Sequence, residues 1–206
     1  MVKQERAVRT RETLIRSAAE VFGREGFARA SLTAISSLAG VSSGALHFHF
    51  ESKAALADVV EAEALARLLA VTRTEPPAGA SHVQLLVDIT HRLAYELRSD
   101  VVLRTGFTLG SELSRPARTG LREHWRGWVE KELERAEAHG ELRTEVAAQD
   151  VVTTVVAATV GLEGLGVRDA MWLSAATVSR LWRLLLPAVA PAALLADLQA
   201  GGTRPR

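Results

Sequence analysis

The chain has 206 residues, 48% hydrophobic and 24% charged, with a formal net charge of +1 and no cysteine. That length supports a substantial core, and the missing cysteines exclude a disulfide scaffold, thiolate metal ligands and a cysteine nucleophile, which fits a reducing cytoplasm. The charged N-terminus (Lys3, Glu5, Arg6, Arg9, Arg11, Glu12) argues against a secretory signal, and the most apolar stretch, Trp182 to Leu198, is broken by Arg183, Pro187 and Pro191 and is too short for a membrane span.

The small net charge conceals an asymmetry. Residues 1–53 carry eight Lys or Arg against five acids, and the remainder is slightly acidic. A basic N-terminal end is a modest footprint for a polyanionic partner.

Residues 1–9 read as a flexible basic arm. Thr10 is placed to cap a first helix running to about Glu25, with Leu14, Ile15, Ala18, Val21 and Phe22 on one face and Gly26 as its stop. Residues 31–53, SLTAISSLAGVSSGALHFHFESK, follow as two short helices and a tight turn. Ser31 caps the first, whose apolar positions are Leu32, Ile35, Leu38 and Ala39, and Gly40 ends it. Ser42 caps the second, with Ala45, Leu46 and Phe50 apolar. This is the helix-turn-helix plan, in which the second helix enters the DNA major groove. Ser42, Ser43, Gly44 and Ala45 are small enough for close approach to DNA, and hydroxyl and backbone N–H groups there suit phosphate oxygens. A surface helical hairpin that binds no DNA has the same pattern.

Ser52 caps a long fourth helix, Lys53 to about Thr72, leading out of a DNA-binding domain at residues 1–53 into a second domain at 54–206. Glu75 to Ser81 (EPPAGAS) has loop composition. Helical periodicity then recurs over His82 to Arg98, Val101 to Leu113, Leu121 to His139 (closed by Gly140), Val151 to Leu165 and Trp172 to Leu186, with a short tail helix near Ala192 to Leu198. Ser114 to Gly120 reads as a loop. No strand signal or internal repeat emerges, so the fold is all-α: an N-terminal three-helix helix-turn-helix domain joined by a long helix to a C-terminal helical domain. Two late helices apolar on more than one side must bury a second surface, most simply as a homodimer through a four-helix bundle; a large monomeric core is the alternative.

The stretch GALHFHFESKAAL, Gly44 to Leu56, resembles the signature of the tetracycline-repressor (TetR) family, G-x-L-Y-x-H-F-x-S-K. Ala18, Phe22, Gly26, Thr33, Ile35, Ala39, Gly40, Val41, Gly44, Phe50 and Lys53 fall where that family's N-terminal domain has them. The resemblance implies a dimeric regulator of a palindromic operator, contacting DNA through Thr33, Ser42, Ser43, Gly44, Ala45, His47, Phe48, His49 and Lys53, with Lys53 on a phosphate. His47 departs from the pattern: it stands where the family has a phosphate-touching tyrosine, and imidazole donates the same bond with shorter reach.

The helices around residues 55–70, 83–112, 121–138 and 150–165 are expected to enclose a cavity for a small hydrophobic ligand. Trp125 and Trp128 share a helix face and suit a pocket wall, with Phe107, Thr108 and Thr159 as further lining. Ordinary core packing accounts for either tryptophan equally well. Glu63 either polarises a ligand or pairs with Arg67 one turn on. The stretches VLRTGFTLGSEL, W-x-x-W and TVVAATVGLEGL look like those of the γ-butyrolactone autoregulator receptors and their pseudo-receptor relatives, in which a tryptophan matching Trp125 lines the cavity. That resemblance implies repression of antibiotic-biosynthesis genes, relieved by a signalling lactone or, in pseudo-receptors, by an antibiotic or intermediate.

Enzyme chemistry finds no support. The six histidines form no metal-ligand pattern, there is no G-x-S-x-G or HExxH, and GLEGLG at 161–166 follows no strand. No catalytic residue, metal or cofactor is expected. The rival from another class is a helical ligand-binding protein whose hairpin never meets DNA.

Overall fold

A computed structural model describes residues 2–73, 79–110 and 120–203, with backbone alone at residues 2 and 3. Among these residues every regular element is helical: α1 Val2–Arg29, α2 Leu32–Leu38, α3 Ser43–His49, α4 Lys53–Thr72, α5 His82–Ser99, α6 Val101–Leu109, α7 Leu121–Ala138, α8 Ala148–Gly166, a 3-10 turn Ala170–Leu173, α9 Ala175–Val189 and α10 Ala192–Leu195. The chain divides into two compact units, Met1–Arg67 with Asp100–Leu121, and Leu68–Ser99 with Arg122–Arg206. The first therefore reaches past residue 53, because α6 packs along α1.

Local chemistry sets the helix starts in the first unit. The hydroxyls of Ser31, Ser42 and Ser52 accept from the backbone N–H groups of Ala34, Ala45 and Ala55, and so cap α2, α3 and α4. Gly40 takes φ 67°, the left-handed conformation that lets α2 stop and the chain turn into α3. Leu14, Ala18, Phe22, Ile35, Leu46, Phe50, Leu56 and Val60 form the core beneath these helices. The contact between α1 and α6 is close: the buried Thr105 hydroxyl donates to the Ala19 carbonyl at 2.9 Å. Where α6 crosses α4, a side chain at Gly106 would meet the Ala64 methyl at 2.2 Å.

The structure differs from three expectations for this unit. Residues 2–9 are helical: α1 starts at Val2, and Thr10, instead of capping, donates its hydroxyl to the Arg6 carbonyl within the helix. With neither Gly nor Pro before residue 23, nothing stops the helix from extending toward the N-terminus. Gly26 does break it, at φ 75° and ψ 157°, leaving one further turn before α2.

Lys53, expected on a DNA phosphate, is the second. Its ammonium donates to the carbonyls of Phe27, Ala28 and Ala30 at 2.8, 3.1 and 2.9 Å and lies over the Phe27 ring. All three ammonium hydrogens are thus taken by carbonyls at the C-terminal end of α1, where the helix stops at Arg29 and no further turn follows. Third, Arg67 pairs with Asp100, which also caps α6 through the N–H groups of Val102 and Leu103, so the ion pair with Glu63 does not form.

In the second unit α5 packs against α8, the 3-10 turn and α9, burying Val83, Leu86, Val87, Leu93 and Leu97. The Glu141 carboxylate accepts from the Ser81 hydroxyl and the N–H groups of His82 and Val83, closing the start of α5. Buried Glu132 lies 2.9 Å from His82 Nδ1 and accepts from Arg135 at 2.8 Å. The C-terminal segment is clipped onto α5: Gln84 and Gln199 exchange hydrogen bonds, His91 Nε2 meets the Ala200 carbonyl, and Asp88 accepts from the Thr203 N–H and hydroxyl. Trp172 belongs to the 3-10 turn; α9 starts after Ser174, runs through Pro187 and ends at Val189, whose carbonyl accepts from the Arg143 N–H. The tail helix is a single turn. The loop read at 75–81 falls partly, and that at 114–120 almost wholly, outside the described residues, as does the end of the sixth helix beyond Gly110.

Two outcomes follow for stability. Lys53→Met leaves three carbonyls without their charged donor; at about 2–3 kcal/mol for such a cluster the melting temperature falls by about 5–10 °C in calorimetry, and an unchanged value contradicts the clasp. His124, whose Nε2 lies 3.0 Å from the Thr72 hydroxyl, is held below the ordinary histidine pKa by burial. The unfolded chain then takes up this proton first as pH falls, so the contribution is full above about 6.5 and is lost as pH drops from there toward the lowered value. Melts between pH 7.5 and 5.5 should show a shallower acid slope for His124→Asn than for the unaltered chain.

Candidate nucleic-acid interface and ligand site

The DNA-facing expectations concern α2 and α3. Thr33 is exposed near the start of α2. Ser42 uses its hydroxyl oxygen as a cap acceptor, which leaves its O–H free to donate. On α3, Leu46 is buried and Phe50 closes the helix inside the core, while Ser43, Gly44, His47 and Phe48 share the exposed side and Ala45 and His49 flank it. Those four positions make two i,i+4 rows, Ser43 with His47 and Gly44 with Phe48. Phe48 is 82% exposed and meets the His49 ring edge-on at 5.2 Å. Lys53 is turned inward, as described above. A cation that the sequence reading did not single out takes a place nearby: Arg11 sits over the Phe50 ring at 5.7 Å, beside the end of α3. Its one sequence signal, a basic N-terminal run, is shared with Arg6 and Arg9.

Of the ligand-site residues, the second unit brings Trp125, Trp128 and Thr159 together. The Trp125 ring is 1% exposed, stacks on Trp128 at 5.3 Å and 22°, and donates its indole N–H to the Thr159 hydroxyl at 2.7 Å. Thr159 passes its own hydrogen to the Val155 carbonyl one turn back on α8. One turn from this contact Arg122 donates to buried Glu163 at 2.7 Å, so α7 and α8 are joined by two polar rungs in apolar surroundings. Thr159 also lines a narrow apolar cleft with Thr90, Leu93, Ala94 and Leu97 of α5, Leu162 of α8, Leu173 and Val178. Its cavity of about 10 Å³ is at the lower limit for one water. Phe107, Thr108 and Glu63 belong to the first unit, Phe107 buried on α6, the Thr108 hydroxyl bonded to the Arg104 carbonyl, and Glu63 half-buried on α4.

His124 precedes Trp125 on α7 and holds Thr72 in the last turn of α4. Thus the helix that begins at Lys53 in the first unit ends, in the second, on the neighbour of the buried tryptophan. Among the described residues no group of three His, Cys, Asp or Glu is arranged to hold a metal, and no helix is long and apolar enough to cross a membrane.

Residues 14–60 match the family described as bacterial regulatory proteins, tetR family. The chain is 29% identical to the A-factor receptor protein of Streptomyces griseus over 98% of its own length and 71% of that protein's. Among solved structures it is similar to native tylp, a TetR regulator from Streptomyces fradiae, at 32% identity, with 95% of this chain and 93% of that one covered and a TM-score of 0.72. It is also similar to a gamma-butyrolactone receptor (ArpA-like protein), at 26% identity with 93% of each chain covered and a TM-score of 0.78. The matched segment starts inside α1 and ends inside α4, so it holds the whole helix-turn-helix. The chain belongs to the TetR family and is a DNA-binding transcriptional regulator, not an enzyme.

Proposed function

We propose that this regulator is a homodimeric repressor that releases a palindromic operator when a small hydrophobic ligand, a γ-butyrolactone by preference, enters the second unit at Trp125. The observation that carries the reading is the buried bond from the Trp125 indole to Thr159, because it joins an aromatic wall to a hydroxyl that borders the apolar cleft. An amphipathic lactone needs those two things, apolar area and one or two well-placed polar partners. The relatives named for A-factor and for gamma-butyrolactone favour that ligand class. A pseudo-receptor answering an antibiotic or intermediate uses the same site and differs only in the ligand that opens it.

Functionally, residues 1–53 serve DNA and residues 54–206 serve ligand and partner. In the closed form the cleft is too small for a lactone, so binding must part α7 from α8 or α5 and favours a second conformation. Trp125 is next to His124, whose bond to Thr72 fixes the end of α4, and α4 starts directly after the recognition helix. A ligand that displaces α7 therefore acts on α4. In a dimer a few ångströms there spoil the match to two half-sites one helical turn apart.

Dimerisation has its own support at the end of α8, on the 3-10 turn and on α9. Leu165, Val167, Met171 and Trp172 are exposed, and Leu184 on α9 is 76% exposed. Gly161 and Gly164 face open space, where added side chains would meet nothing of this chain. An apolar surface of this kind is covered in regulators that pair. The protein then works in the cytoplasm, beside its operator.

Thr159→Val keeps the side-chain volume and deletes the acceptor. DNA affinity should stay within about threefold of the unaltered chain, and the lactone concentration that releases DNA should rise about tenfold, the value of one buried hydrogen bond. Fluorescence anisotropy of a labelled operator, titrated with a γ-butyrolactone, measures both; release at unchanged concentration excludes the site. Light scattering tests assembly: the unaltered chain should be a dimer at micromolar concentration and Leu184→Glu a monomer or aggregate, and a stable unaltered monomer refutes the pairing.

A further inference from the structure

Two choices on α3 run against local preference. Phe48 leaves 82% of a large aromatic side chain in water, and buried aromatic area is what such a residue normally contributes. Gly44, one turn earlier in the same row, sits in the first turns of a seven-residue helix, where alanine is the better helix former. Packing within the chain does not demand it, since an added Cβ would meet only the Ser42 hydroxyl, at 3.9 Å. Its φ is outside the left-handed range. Residues that break a local rule without a packing reason mark surfaces shaped for something outside the chain.

We propose that Phe48 reads the C5-methyl groups of thymines in the major groove, with Gly44 letting the backbone of α3 come close enough for the ring to reach them. The proposal rests on the DNA reading above and goes beyond it by naming the base feature recognised. The major groove presents a methyl group only at thymine, and phenylalanine, with no donor or acceptor, can select bases only by apolar contact. The Gly44–Phe48 row offers one bare backbone stretch and one apolar projection, the shape that fits a protruding methyl beside flat base edges. The edge-on contact with His49 holds the ring and limits the rotamer freedom lost on binding. The neighbouring row, Ser43 and His47, supplies polar groups that suit the phosphates or base edges alongside.

The test uses the duplex that the full-length protein selects most tightly from a random pool. Each thymine is replaced in turn by uracil, which lacks only the methyl group, and binding is measured by anisotropy for the unaltered chain, Phe48→Ala and Phe48→Leu. For the unaltered chain, at least one replacement in each half-site should weaken binding about fourfold, the value of one buried methyl. Phe48→Ala should bind thymine and uracil duplexes alike, and Phe48→Leu should keep part of the difference. Circular dichroism and melting check that the variants are folded; if Phe48→Ala is not, the unaltered chain and Phe48→Leu decide. Specific binding indifferent to every thymine methyl, or an undiminished thymine preference in Phe48→Ala, overturns the proposal alone. Failure of the unaltered chain to select any duplex overturns the DNA reading with it.

Discussion

The ammonium of Lys53 joins the two ends of the helix-turn-helix. One turn after the break at Gly26, α1 stops at Arg29 with its last carbonyls facing no further helical turn, and the chain then runs through α2 and α3 before it reaches α4. Lys53, the first residue of α4, donates to three of those carbonyls across 23 to 26 residues of sequence. A charged donor shared among three backbone acceptors is stronger than neutral hydrogen bonds, and the Phe27 ring beneath it adds a cation–π contact. The clasp brackets α2 and α3, whose apolar sides enter the core through Ile35 and Leu46, with Leu32 and Ala34 packed against it and Phe50 buried just after α3. How α3 presents Ser43, Gly44, His47 and Phe48 depends on it.

In the second unit the corresponding feature is polar and buried. Trp125 gives its N–H to Thr159 while its ring lies on Trp128, and the pair of Arg122 with Glu163 repeats the α7–α8 connection one turn away. Such rungs hold α7 to α8 firmly, because a hydrogen bond formed away from water is stronger than one at the surface. α4 belongs to both units, with Lys53 at one end and Thr72 held by His124 at the other.

Much of this was legible in the sequence because the signals are local. Serine caps at 31, 42 and 52, the turn at Gly40, the break at Gly26 and the span of α4 all follow from short-range chemistry, and the structure keeps each of them. The exposed and buried sides of α3 follow from 3.6-residue periodicity in the same way. What escaped depends on partners distant in sequence. Backbone carbonyls carry no residue signature, so the destination of the Lys53 ammonium could not be read from the residues around it, and a basic residue at the start of α4 looks like a phosphate ligand. Arg67 had an acid at i−4, yet Asp100 takes it, since that carboxylate is already fixed as the cap of α6. The twin tryptophans at 125 and 128 were visible as a face, but that the acceptor of the Trp125 N–H is Thr159, 34 residues on, is a fact of tertiary packing.

The clasp and the phosphate contact make opposite demands on one side chain, and the salt dependence of DNA binding separates them. Each phosphate neutralised by a lysine contributes about −0.9 to the slope of log affinity against log salt concentration. If Lys53 spends its donors on Phe27, Ala28 and Ala30, Lys53→Met measured well below its melting temperature keeps the slope of the unaltered chain. A slope shallower by about 0.9 per protomer, with no loss of thermal stability, would show the ammonium on DNA instead of on the end of α1.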